Sequence, residues 1–501
     1  MLLPVNLSAL LKGIVDVASE TQEKDCIVSS ITQDSREAFD GCLFVALKGL
    51  HQHGLKFAEQ VQEQGACAII WESDENISSP DRLGLNIPCI EIANLRAHLG
   101  LIADRFYQSP SKSLNIIGIT GTDGKTSVSH FLAQSMDDCA VIGTIGLGKL
   151  DNLQKATHTT PDVLSVHKTL AELKEQNIKT VAMEVSSHAL DQERVANVQF
   201  DVAVLTNLSR DHLDYHKTLE AYAEAKAKLF SWSDLKDVVL NIDDAFGQKI
   251  AKKGGGGFTY SIADYDTNSP ASLIASNAEF TEKGIRAIIH HADQQGELNT
   301  AVLGRFNLSN LLAALGTMLV LGVSLEDALA RLNKVHTVEG RMEKISNGST
   351  GNANTNVLIV VDFAHTPNAL KTVLKALREH TQQSLICVFG CGGDRDAGKR
   401  PLMAAVAEKF ADKVIATDDN PRTENPQKIM ADIVSGFKQA EKVTIEHDRA
   451  AAIQFAVKQA KTGDVVLIAG KGHEKVQILA TGTIPFSDQE QANKVLQELA
   501  A

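Results

Sequence analysis

Short runs of β-branched and other apolar residues alternate with stretches of helical periodicity through the middle of this chain. The apolar runs cover residues 116–119, 140–142, 180–183, 202–206 and 237–241. Such an alternation predicts a parallel β-sheet covered by helices. A second series begins at residue 357, after a loop rich in Ser, Gly, Asn and Thr over 346–356. It predicts a domain boundary in that loop and a second doubly wound α/β domain after it.

The remaining stretches carry weaker patterns. Residues 1–110 contain short strands and helices, and Asp34-Ser35-Arg36 by itself indicates only a solvated turn. Residues 311–325 form the longest uncharged apolar run, shorter than the roughly 20 residues of a membrane helix, and predict a buried helix. Residues 260–300 are polar and predict no particular element.

The first strand of the central series runs into a glycine loop, Thr120-Gly-Thr-Asp-Gly-Lys-Thr126, and then into an amphipathic helix. Backbone N–H groups, a helix N-terminus, a lysine and a threonine are groups that bind phosphates and Mg²⁺. The strict P-loop pattern is missed by one residue, because Gly118 lies one position too early. The alternative is a strand-turn-helix packing motif with an incidental lysine, and the context favours a nucleotide site.

Polar clusters lie where further strands are predicted to end. In the central series they are His158-Thr-Thr-Pro161, Glu184-Val-Ser-Ser-His188 and Asn207-Leu-Ser-Arg-Asp-His-Leu-Asp214. Ligands bind beyond the carboxyl ends of parallel strands, so these clusters are predicted to face the phosphate loop. Basic and polar loops at 390–400, 418–424 and 470–474 predict a second binding face in the C-terminal series.

Composition narrows the class of protein. The 501 residues predict about two to four domains, and 44% hydrophobic with 22% charged residues is typical of a soluble globular protein. A formal charge of −13 argues against non-specific nucleic-acid binding. Seven cysteines without a Cys-x-x-Cys motif predict reduced thiols in a cytoplasmic protein, with core packing for Cys387 and Cys391. The N-terminus shows no evident secretion signal.

Taken together, the motifs resemble the Mur ligase family. They are the glycine loop, Glu184-Val-Ser-Ser-His188, His212-Leu-Asp214, Phe306-Asn307, Gly340-Arg341 and Asp362-Phe-Ala-His-Thr-Pro367, over essentially the whole chain. The family's own loop, Gly-Thr-x-Gly-Lys-Thr, has the same offset from the strict P-loop. Within the family, Asp419-Asn-Pro-Arg422 resembles the signature of members that add meso-2,6-diaminopimelate to UDP-N-acetylmuramoyl-L-alanyl-D-glutamate.

The resemblance implies an α/β fold of three domains in a cytoplasmic, ATP-dependent amide ligase of peptidoglycan precursor synthesis. An N-terminal α/β domain (1–110) would bind the UDP end. A central P-loop-type parallel-sheet ATPase domain (111–340) and a Rossmann-like C-terminal domain (341–501) would bind ATP and the amino acid. The implied partners are ATP, the UDP-muramoyl-dipeptide and diaminopimelate, with Mg²⁺ as the metal and an acyl phosphate as intermediate. We expect no nucleic acid, no membrane insertion and a monomer.

Site residues are implied position by position. ATP would be bound by Gly121, Thr122, Asp123, Gly124, Lys125, Thr126, Asn307, Arg341, Asp362 and His365. The UDP-muramoyl-dipeptide would be held by Ser35, Thr159, Thr160, Ser186, Gln192 and Arg194. Diaminopimelate would be received by Arg395, Asp419, Asn420, Pro421, Arg422, Gly470 and Glu474. The catalytic residues would be Lys125, Glu184, His212 and Lys226, and the metal would lie near Thr126, Glu184, His212 and Lys226.

The diaminopimelate residues also make chemical sense on their own. The distal end of this amino acid carries one carboxylate and one ammonium group. Arg395 and Arg422 offer forked donors for the carboxylate, Asn420 adds a donor, and the Glu474 carboxylate suits the ammonium. Lysine lacks that carboxylate and would leave the arginines unpaired, which predicts discrimination of up to roughly 10⁴-fold.

Lys226 resembles the lysine that family members carry as a carbamate formed with CO₂. A free ammonium group would repel Mg²⁺, whereas a carbamate is an anionic oxygen ligand. Lys228 is the competing position, and the spacing from Tyr222 to Lys226 fits the family pattern better. Glu184 is predicted to take Mg²⁺ beside Thr126. His212 is a candidate for a second ion, with a hydrogen-bonded structural histidine as the alternative.

Three positions depart from the family pattern: Asp123 stands where asparagine is common, Phe363 replaces a tyrosine, and Gln52-His-Gly54 replaces Asp-Gly. Two other functions stay open. A P-loop kinase or ATP-driven motor needs no second binding face. A non-catalytic nucleotide sensor needs none of Glu184, His212 and Lys226.

Overall fold

The computed structural model describes residues 4–15, 25–49, 52–73, 84–156, 158–254, 256–262, 270–345 and 357–500. The chain divides into two compact units, Met1–Leu240 with Asp244–Gly257 and Asn241–Asp243 with Phe258–Ala501. No helix in the described ranges is long and apolar enough to cross a membrane. The loop over 346–356, predicted to hold a domain boundary, lies outside the described residues.

The first unit begins with a small parallel sheet. Its elements are β1 Val5–Asn6, α1 Leu7–Leu11, β2 Ile27–Val28, β3 Ser30–Thr32, β4 Cys42–Ala46, α2 Ala58–Glu63, β5 Ala68–Glu72, β6 Cys89–Ile92 and α3 Leu95–Phe106. Strands β3 to β6 pair in parallel in chain order, and β1 and β2 form an antiparallel pair. All five residues of β4 are buried, as expected for a parallel strand covered on both faces.

The rest of the first unit is the larger sheet predicted from the central series. Its elements are β7 Asn115–Thr120, α4 Lys125–Ser135, β8 Cys139–Ile142, β9 Leu147–Gly148, α5 Val163–Glu175, β10 Thr180–Glu184, α6 Ser187–Asp191, β11 Val202–Leu205, α7 Leu213–His216, α8 Leu219–Ala227, β12 Asp237–Asn241 and α9 Ala245–Lys253. The strand order is β12-β11-β7-β10-β8-β9, parallel except for β9. Because the chain order reverses on either side of β7, the crevice beyond its carboxyl end is the expected ligand site.

One hydrophobic core joins the two sheets of the first unit. Leu95 and Ile102 of α3 pack in the same buried cluster as Val163 and Leu164 of α5. The small N-terminal sheet therefore shares a core with a helix of the larger sheet. This shared core explains why the two sheets belong to one compact unit.

The second unit opens with four strands and two helices. They are β13 Phe258–Ile262, β14 Leu273–Thr281, β15 Gly284–His291, β16 Gln294–Thr300, α10 Arg305–Val320 and α11 Leu325–Leu332. The described residues of the polar stretch at 260–300 thus form strands that the sequence did not predict. Strands β14, β15 and β16 are antiparallel, and antiparallel sheets can leave one face in water, which weakens the apolar signal. The predicted buried helix is α10, although it ends at Val320, before Gly322 with a φ of 88°.

The C-terminal part is the second predicted α/β sheet. Its elements are β17 Glu343–Ile345, β18 Leu358–Asp362, α12 Pro367–His380, β19 Leu385–Phe389, α13 Lys399–Phe410, β20 Lys413–Ala416, α14 Pro426–Val434, β21 Thr444–Ile445, α15 Arg449–Gln459, β22 Val465–Ala469, β23 Val476–Leu479, β24 Gly482–Pro485 and α16 Asp488–Ala500. The sheet order is β17-β18-β22-β19-β20-β21, parallel except for β17. The loops after β18, β19, β20 and β22 therefore leave the same edge. Cys387 and Cys391 are buried in this core, as predicted.

Candidate active site

The predicted phosphate loop joins β7 to α4. Gly124 is the N-cap residue of α4 and has a φ of 88°, a left-handed conformation that favours glycine. Asn207, after β11, holds the loop in place: its backbone carbonyl accepts the Thr122 N–H at 2.9 Å, and its side-chain oxygen accepts the Asp123 N–H at 3.1 Å. The Asp123 side chain is exposed. A glycine loop at a helix N-terminus is an arrangement that binds phosphate.

Two lysines donate to the same carbonyl of this loop. Lys125 Nζ donates to Gly121 O and Thr122 O at 2.9 Å each, and Lys226 Nζ donates to Gly121 O at 2.7 Å. Lys226 is only 1% exposed. Burial and then repulsion by Lys125 hold the pKa of Lys226 well below its ordinary value. Lys228, the competing position, is half exposed and pairs with Asp191 at 3.4 Å.

Glu184 is the last residue of β10, whereas the sequence placed it after the strand. Its carboxylate accepts Thr126 Oγ1 at 3.0 Å, the Thr144 N–H at 2.9 Å and Thr144 Oγ1 at 3.1 Å. Burial raises the pKa of Glu184, and the charge of Lys125 and these hydrogen bonds oppose that effect. A Cβ on Gly143 would lie 2.2 Å from Glu184 Oε1, so the close approach requires glycine.

The donors around Glu184 suit a magnesium ion. The Thr126 hydroxyl and the Glu184 carboxylate lie together, and both are oxygen ligands. His212 is half exposed, and its ring centroid lies 4.9 Å from that of His188. Within the described residues, no group of three or more His, Cys, Asp or Glu side chains is arranged to hold a metal. A magnesium site here would therefore depend on nucleotide phosphates and waters for most of its ligands.

The residues assigned to the muramoyl-dipeptide meet beyond β10. Thr160 Oγ1 donates to Glu184 O at 2.8 Å and accepts the Ser186 N–H at 3.1 Å. Arg194 donates to Thr160 O at 3.1 Å and to Gln192 Oε1 at 2.6 Å. Thr144, which the sequence analysis missed, donates its hydroxyl proton to Glu184, and its Oγ1 lies within hydrogen-bond distance of Thr159 Oγ1, at 3.1 Å. Since Thr144 follows β8, the rule that polar residues follow parallel strands would have found it. The structure thus brings together Thr159, Thr160, Ser186, Gln192 and Arg194.

Ser35, assigned to the UDP-sugar, lies in the same unit. It is buried in a short 3₁₀ turn, Ser35–Glu37, that the Asp34 side chain caps. Gln33 Nε2 donates to Asp162 Oδ1 at 3.0 Å. This contact links the Ser35 loop to the segment that follows Thr160.

Three of the second-unit residues assigned to ATP cluster around Phe363. Asp362 ends β18 and accepts the N–H groups of Met342 and Ala364 at 2.7 Å each. The Arg341 guanidinium lies 4.9 Å from the Phe363 ring, and the His365 ring lies 4.6 Å from it. Phe363 therefore offers a stacking surface where a tyrosine would add a hydroxyl.

Asn307, the fourth of these residues, has a different environment. It is 2% exposed, its side chain donates to Leu303 O at 2.8 Å, and it accepts Asn310 Nδ2 at 3.0 Å. These hydrogen bonds brace the first turns of α10. They do not reach Arg341, Asp362 or His365.

Asn420 is the centre of the predicted amino-acid site. Its side-chain amide donates to Glu474 Oε2 at 2.8 Å, and its backbone carbonyl accepts Arg422 Nη1 at 3.4 Å. Arg422 Nη1 also donates to Gly393 O at 2.8 Å. One guanidinium group and one carboxylate group thus both form a hydrogen bond with Asn420.

The other residues of this predicted site lie on the same loops. Asp419 is buried, and its backbone carbonyl accepts Gln477 Nε2 at 2.7 Å. The Gly470 N–H donates to Asp362 O at 3.0 Å. Pro421 is buried between Asn420 and Arg422. Arg395 is exposed and forms no hydrogen bond or ion pair within the described part of the chain.

Arg400, which the sequence analysis missed, braces the loops of this site. Its side chain is fully buried and donates to both Glu424 oxygens at 2.9 and 2.6 Å, to Asp432 at 2.7 Å and to Gly392 O at 3.3 Å. Glu424 Oε2 also accepts the Asp394 N–H at 3.1 Å. Arg400 therefore connects the loop that carries Arg395 to the loop after β20.

Replacing Arg400 with methionine is expected to lower the unfolding midpoint of the protein by about 5–10 °C. Removing one member of a buried ion pair costs about 3–5 kcal/mol, and we expect the lower end because Glu424 and Asp432 are partly exposed. Thermal unfolding followed by circular dichroism measures the shift. The matched control is Arg378→Met, which removes a surface pair with Asp412 and should cost less than about 1 kcal/mol. Equal shifts in the two variants would contradict the bracing role.

Comparisons with known proteins give three family matches along the chain. "Mur ligase family, catalytic domain" matches residues 27–107, "Mur ligase middle domain" matches 119–318, and "Mur ligase, glutamate ligase domain" matches 340–472. The three α/β domains predicted from the sequence correspond to these matches, which confirms the fold class. The boundaries predicted at residues 110 and 340 stay predictions.

Individual relatives are similar over nearly their full length. The UDP-N-acetylmuramoyl-L-alanyl-D-glutamate–2,6-diaminopimelate ligase of Pseudomonas aeruginosa is 48% identical over 480 residues, covering 95% of this chain and 96% of that protein. The ligase of the same name from Ectopseudomonas mendocina is 46% identical over 480 residues, with the same coverage. A solved structure of a ligase with that name superposes with a TM-score of 0.74 at 35% identity, covering 100% of both chains.

Proposed function

The chain belongs to the Mur ligase family of ATP-dependent ligases, and we propose that it adds meso-2,6-diaminopimelate to UDP-N-acetylmuramoyl-L-alanyl-D-glutamate in peptidoglycan precursor synthesis. The names of relatives at 46–48% identity support this substrate pair. The structural observation that supports it best is the Asn420 site, where a guanidinium and a carboxylate are both hydrogen-bonded to one buried residue. The distal end of diaminopimelate carries the two complementary charges.

Arg422 is suited to the distal carboxylate. Its Nη1 donates hydrogen bonds to the carbonyls of Gly393 and Asn420, and these bonds orient the guanidinium. The Nε and Nη2 donors form the other edge of the fork, and two parallel donors match a carboxylate. Glu474, bonded through Oε2 to Asn420, would take the ammonium. Arg395, whose side chain is exposed, would supply the second guanidinium.

The first chemical step is phosphorylation of the acid. An oxygen of the D-glutamyl carboxylate attacks the γ-phosphorus of ATP, the bond to the β-γ bridging oxygen breaks, and ADP leaves with that electron pair. Lys125 and the N-terminus of α4 offset the negative charge of the triphosphate. Bound Mg²⁺ would supply further charge neutralisation beside Thr126 and Glu184. A carbamate on Lys226 and the His212 ring are proposed to complete its surroundings.

The second step forms the amide. The neutral α-amino group at the reacting end of diaminopimelate attacks the acyl carbon, the bond from that carbon to the phosphate oxygen breaks, and inorganic phosphate leaves. The amine loses one proton to solvent. Arg194, held by Gln192 and by the Thr160 carbonyl, is a cation suited to orient the acyl donor. No serine or cysteine nucleophile is needed, because phosphate is already a good leaving group.

Phosphate release tests the proposal. We expect negligible release with ATP alone or with ATP and either co-substrate, and rapid release when ATP, the UDP-muramoyl-dipeptide and meso-diaminopimelate are all present. Mass spectrometry should then find the UDP-muramoyl-tripeptide. Release that needs neither co-substrate would favour an ATP-driven motor. Nucleotide binding without turnover under any condition would favour a sensor.

Two further expectations belong to this proposal. We propose that the reaction takes place in the cytoplasm, in keeping with seven cysteines that are all free. We also propose that the protein is a monomer. Size-exclusion chromatography with light scattering would test the second expectation.

A further inference from the structure

Lys471 is a fully buried lysine that the mechanism above does not use. It lies after β22, and its side chain has an exposed fraction of 0%. Its Nζ donates to Glu474 Oε2 at 3.0 Å and to Asn420 Oδ1 at 3.1 Å, and it lies 4.0 Å from Asp419 Oδ1. Burying an ammonium group is costly unless it is paired and hydrogen-bonded. The partners of Lys471 are the residues assigned to the amino-acid substrate.

The first consequence is a fixed orientation of the Asn420 side chain. Its Oδ1 accepts Lys471 Nζ at 3.1 Å and the Ile478 N–H at 2.9 Å. Both groups are donors only, so the amide oxygen must face them. The Nδ2 group is then directed to Glu474 Oε2, at 2.8 Å. Without Lys471, one of the two donors that define this orientation is lost.

The second consequence concerns Glu474. Its Oε2 accepts both Lys471 Nζ and Asn420 Nδ2, and its Oε1 has no hydrogen-bond partner among the described residues. Burial tends to raise the pKa of this carboxyl, but the hydrogen bonds from Lys471 and Asn420 outweigh it and leave the pKa of Glu474 below its ordinary value. Glu474 is therefore ionised at neutral pH, with one oxygen held and the other available to a cation.

We propose that Lys471 is a positioning residue that orients the Glu474 carboxylate, directly and through the Asn420 amide, for the ammonium group at the distal end of the amino-acid substrate. This inference rests on the proposed function. It adds a residue that does not contact the substrate and acts through Glu474, which does. The ammonium-binding oxygen is Glu474 Oε1, because Oε2 is already occupied by Lys471 and Asn420.

The test is Lys471→Met in the full-length protein, since methionine keeps much of the volume and removes the charge. The KM for meso-diaminopimelate should rise on the order of 30-fold, because a buried charged partner is lost. The kcat should change by less than about 3-fold, and the KM values for ATP and the UDP-muramoyl-dipeptide should not change, because the pairing is made in the ground state. The matched control is Lys475→Met, four residues further on, an exposed lysine that pairs with Glu339. This control should behave as the parent protein.

A second substrate separates positioning from general structural damage. L-2-Aminopimelate keeps the reacting amine and the distal carboxylate but lacks the distal ammonium. If Lys471 acts through Glu474, Lys471→Met should raise the KM for this analogue by less than about 3-fold over the parent protein. An equal rise for both amino acids would overturn the proposal, as would no rise for either.

The double variant Lys471→Met, Glu474→Gln tests the same coupling if the single variant Lys471→Met fails to fold. It removes both charges, so no unpaired carboxylate stays behind in the half-buried site. Its KM for diaminopimelate should equal that of Glu474→Gln alone within about 3-fold, and additive losses would refute the coupling. These outcomes are distinct from failure of the proposed function, in which the parent protein itself would show no release of phosphate that depends on the amino acid.

Discussion

Replacing Lys226 with alanine is expected to lower kcat/KM of the ligase reaction by about 10²–10³-fold, the loss typical of removing one electrostatic group from a transition state. Lys226 is 1% exposed and its Nζ lies 2.7 Å from Gly121 O in the phosphate loop. Its pKa is lowered well below the ordinary value by burial and by Lys125. Only the neutral amine attacks CO₂, so a lowered pKa favours formation of the carbamate at neutral pH.

Chemical rescue distinguishes a carbamate from a structural lysine. Acetate or formate can occupy the space of the carbamate in Lys226→Ala, and either acid should restore a measurable part of the activity. Intact-mass analysis of the parent protein in bicarbonate buffer should show the added mass of CO₂ under non-denaturing conditions. Lys228→Ala is the control, since Lys228 is half exposed and pairs with Asp191. Full activity of Lys226→Ala without any added acid would rule out the carbamate.

The choice between Lys226 and Lys228 shows what the sequence could and could not predict. Both lie in one helical stretch of similar composition, and spacing from Tyr222 favoured Lys226 only through a family resemblance. In the structure α8 ends at Ala227, and Lys228 begins a 3₁₀ turn and pairs with Asp191. The end of a helix depends on capping and tertiary packing, which local pattern predicts poorly.

Residues after parallel strands were the most predictable part of the candidate site. Glu184, Ser186 and Asn420 were all predicted, because polar residues at the carboxyl ends of buried parallel strands converge on one edge of their own sheet. Arg400 and Lys471 were not, although both lie in loops that were singled out. A long charged side chain is normally solvated, and its burial here depends on acids that lie elsewhere in the chain, such as Glu424 and Asp432 for Arg400. No local pattern contains that information.

The antiparallel strands of the second unit illustrate the same limit for the fold. Strand β16 has polar residues at most positions, and only two of its seven residues are buried. It is a strand because it pairs with β15 along its whole length, from Thr300 to Gln294. Pairing of this kind depends on the neighbouring strand. The parallel strands β18, β19 and β22 are instead buried at every position, so their apolar runs predict strands from the sequence alone.

Replacing Arg422 with leucine is expected to remove most of the preference for meso-diaminopimelate over L-lysine. A site built to bind a polar group rejects analogues that lack it by up to roughly 10⁴-fold. The variant should lose about 10²–10³-fold in kcat/KM with diaminopimelate and less than about 3-fold with L-lysine. Phosphate release with each amino acid measures the ratio. The control is Arg286→Leu, at an exposed position of strand β15, where the arginine pairs with Glu297.

The Arg422 side chain also donates to Gly393 O and Asn420 O. Leucine would therefore remove hydrogen bonds that hold these loops as well as the group proposed to bind the substrate carboxylate. Arg422→Lys separates the two roles, because lysine keeps a cation and one donor for the loop but loses the fork that matches a carboxylate. If recognition is bidentate, Arg422→Lys should also favour L-lysine more than the parent protein does. If kcat/KM falls equally for both amino acids in both variants, Arg422 only holds the loops together and does not recognise the substrate carboxylate. Equal turnover of the two amino acids by the parent protein would instead overturn the assignment of Arg422 to the distal carboxylate, because no unpaired arginine would then penalise lysine.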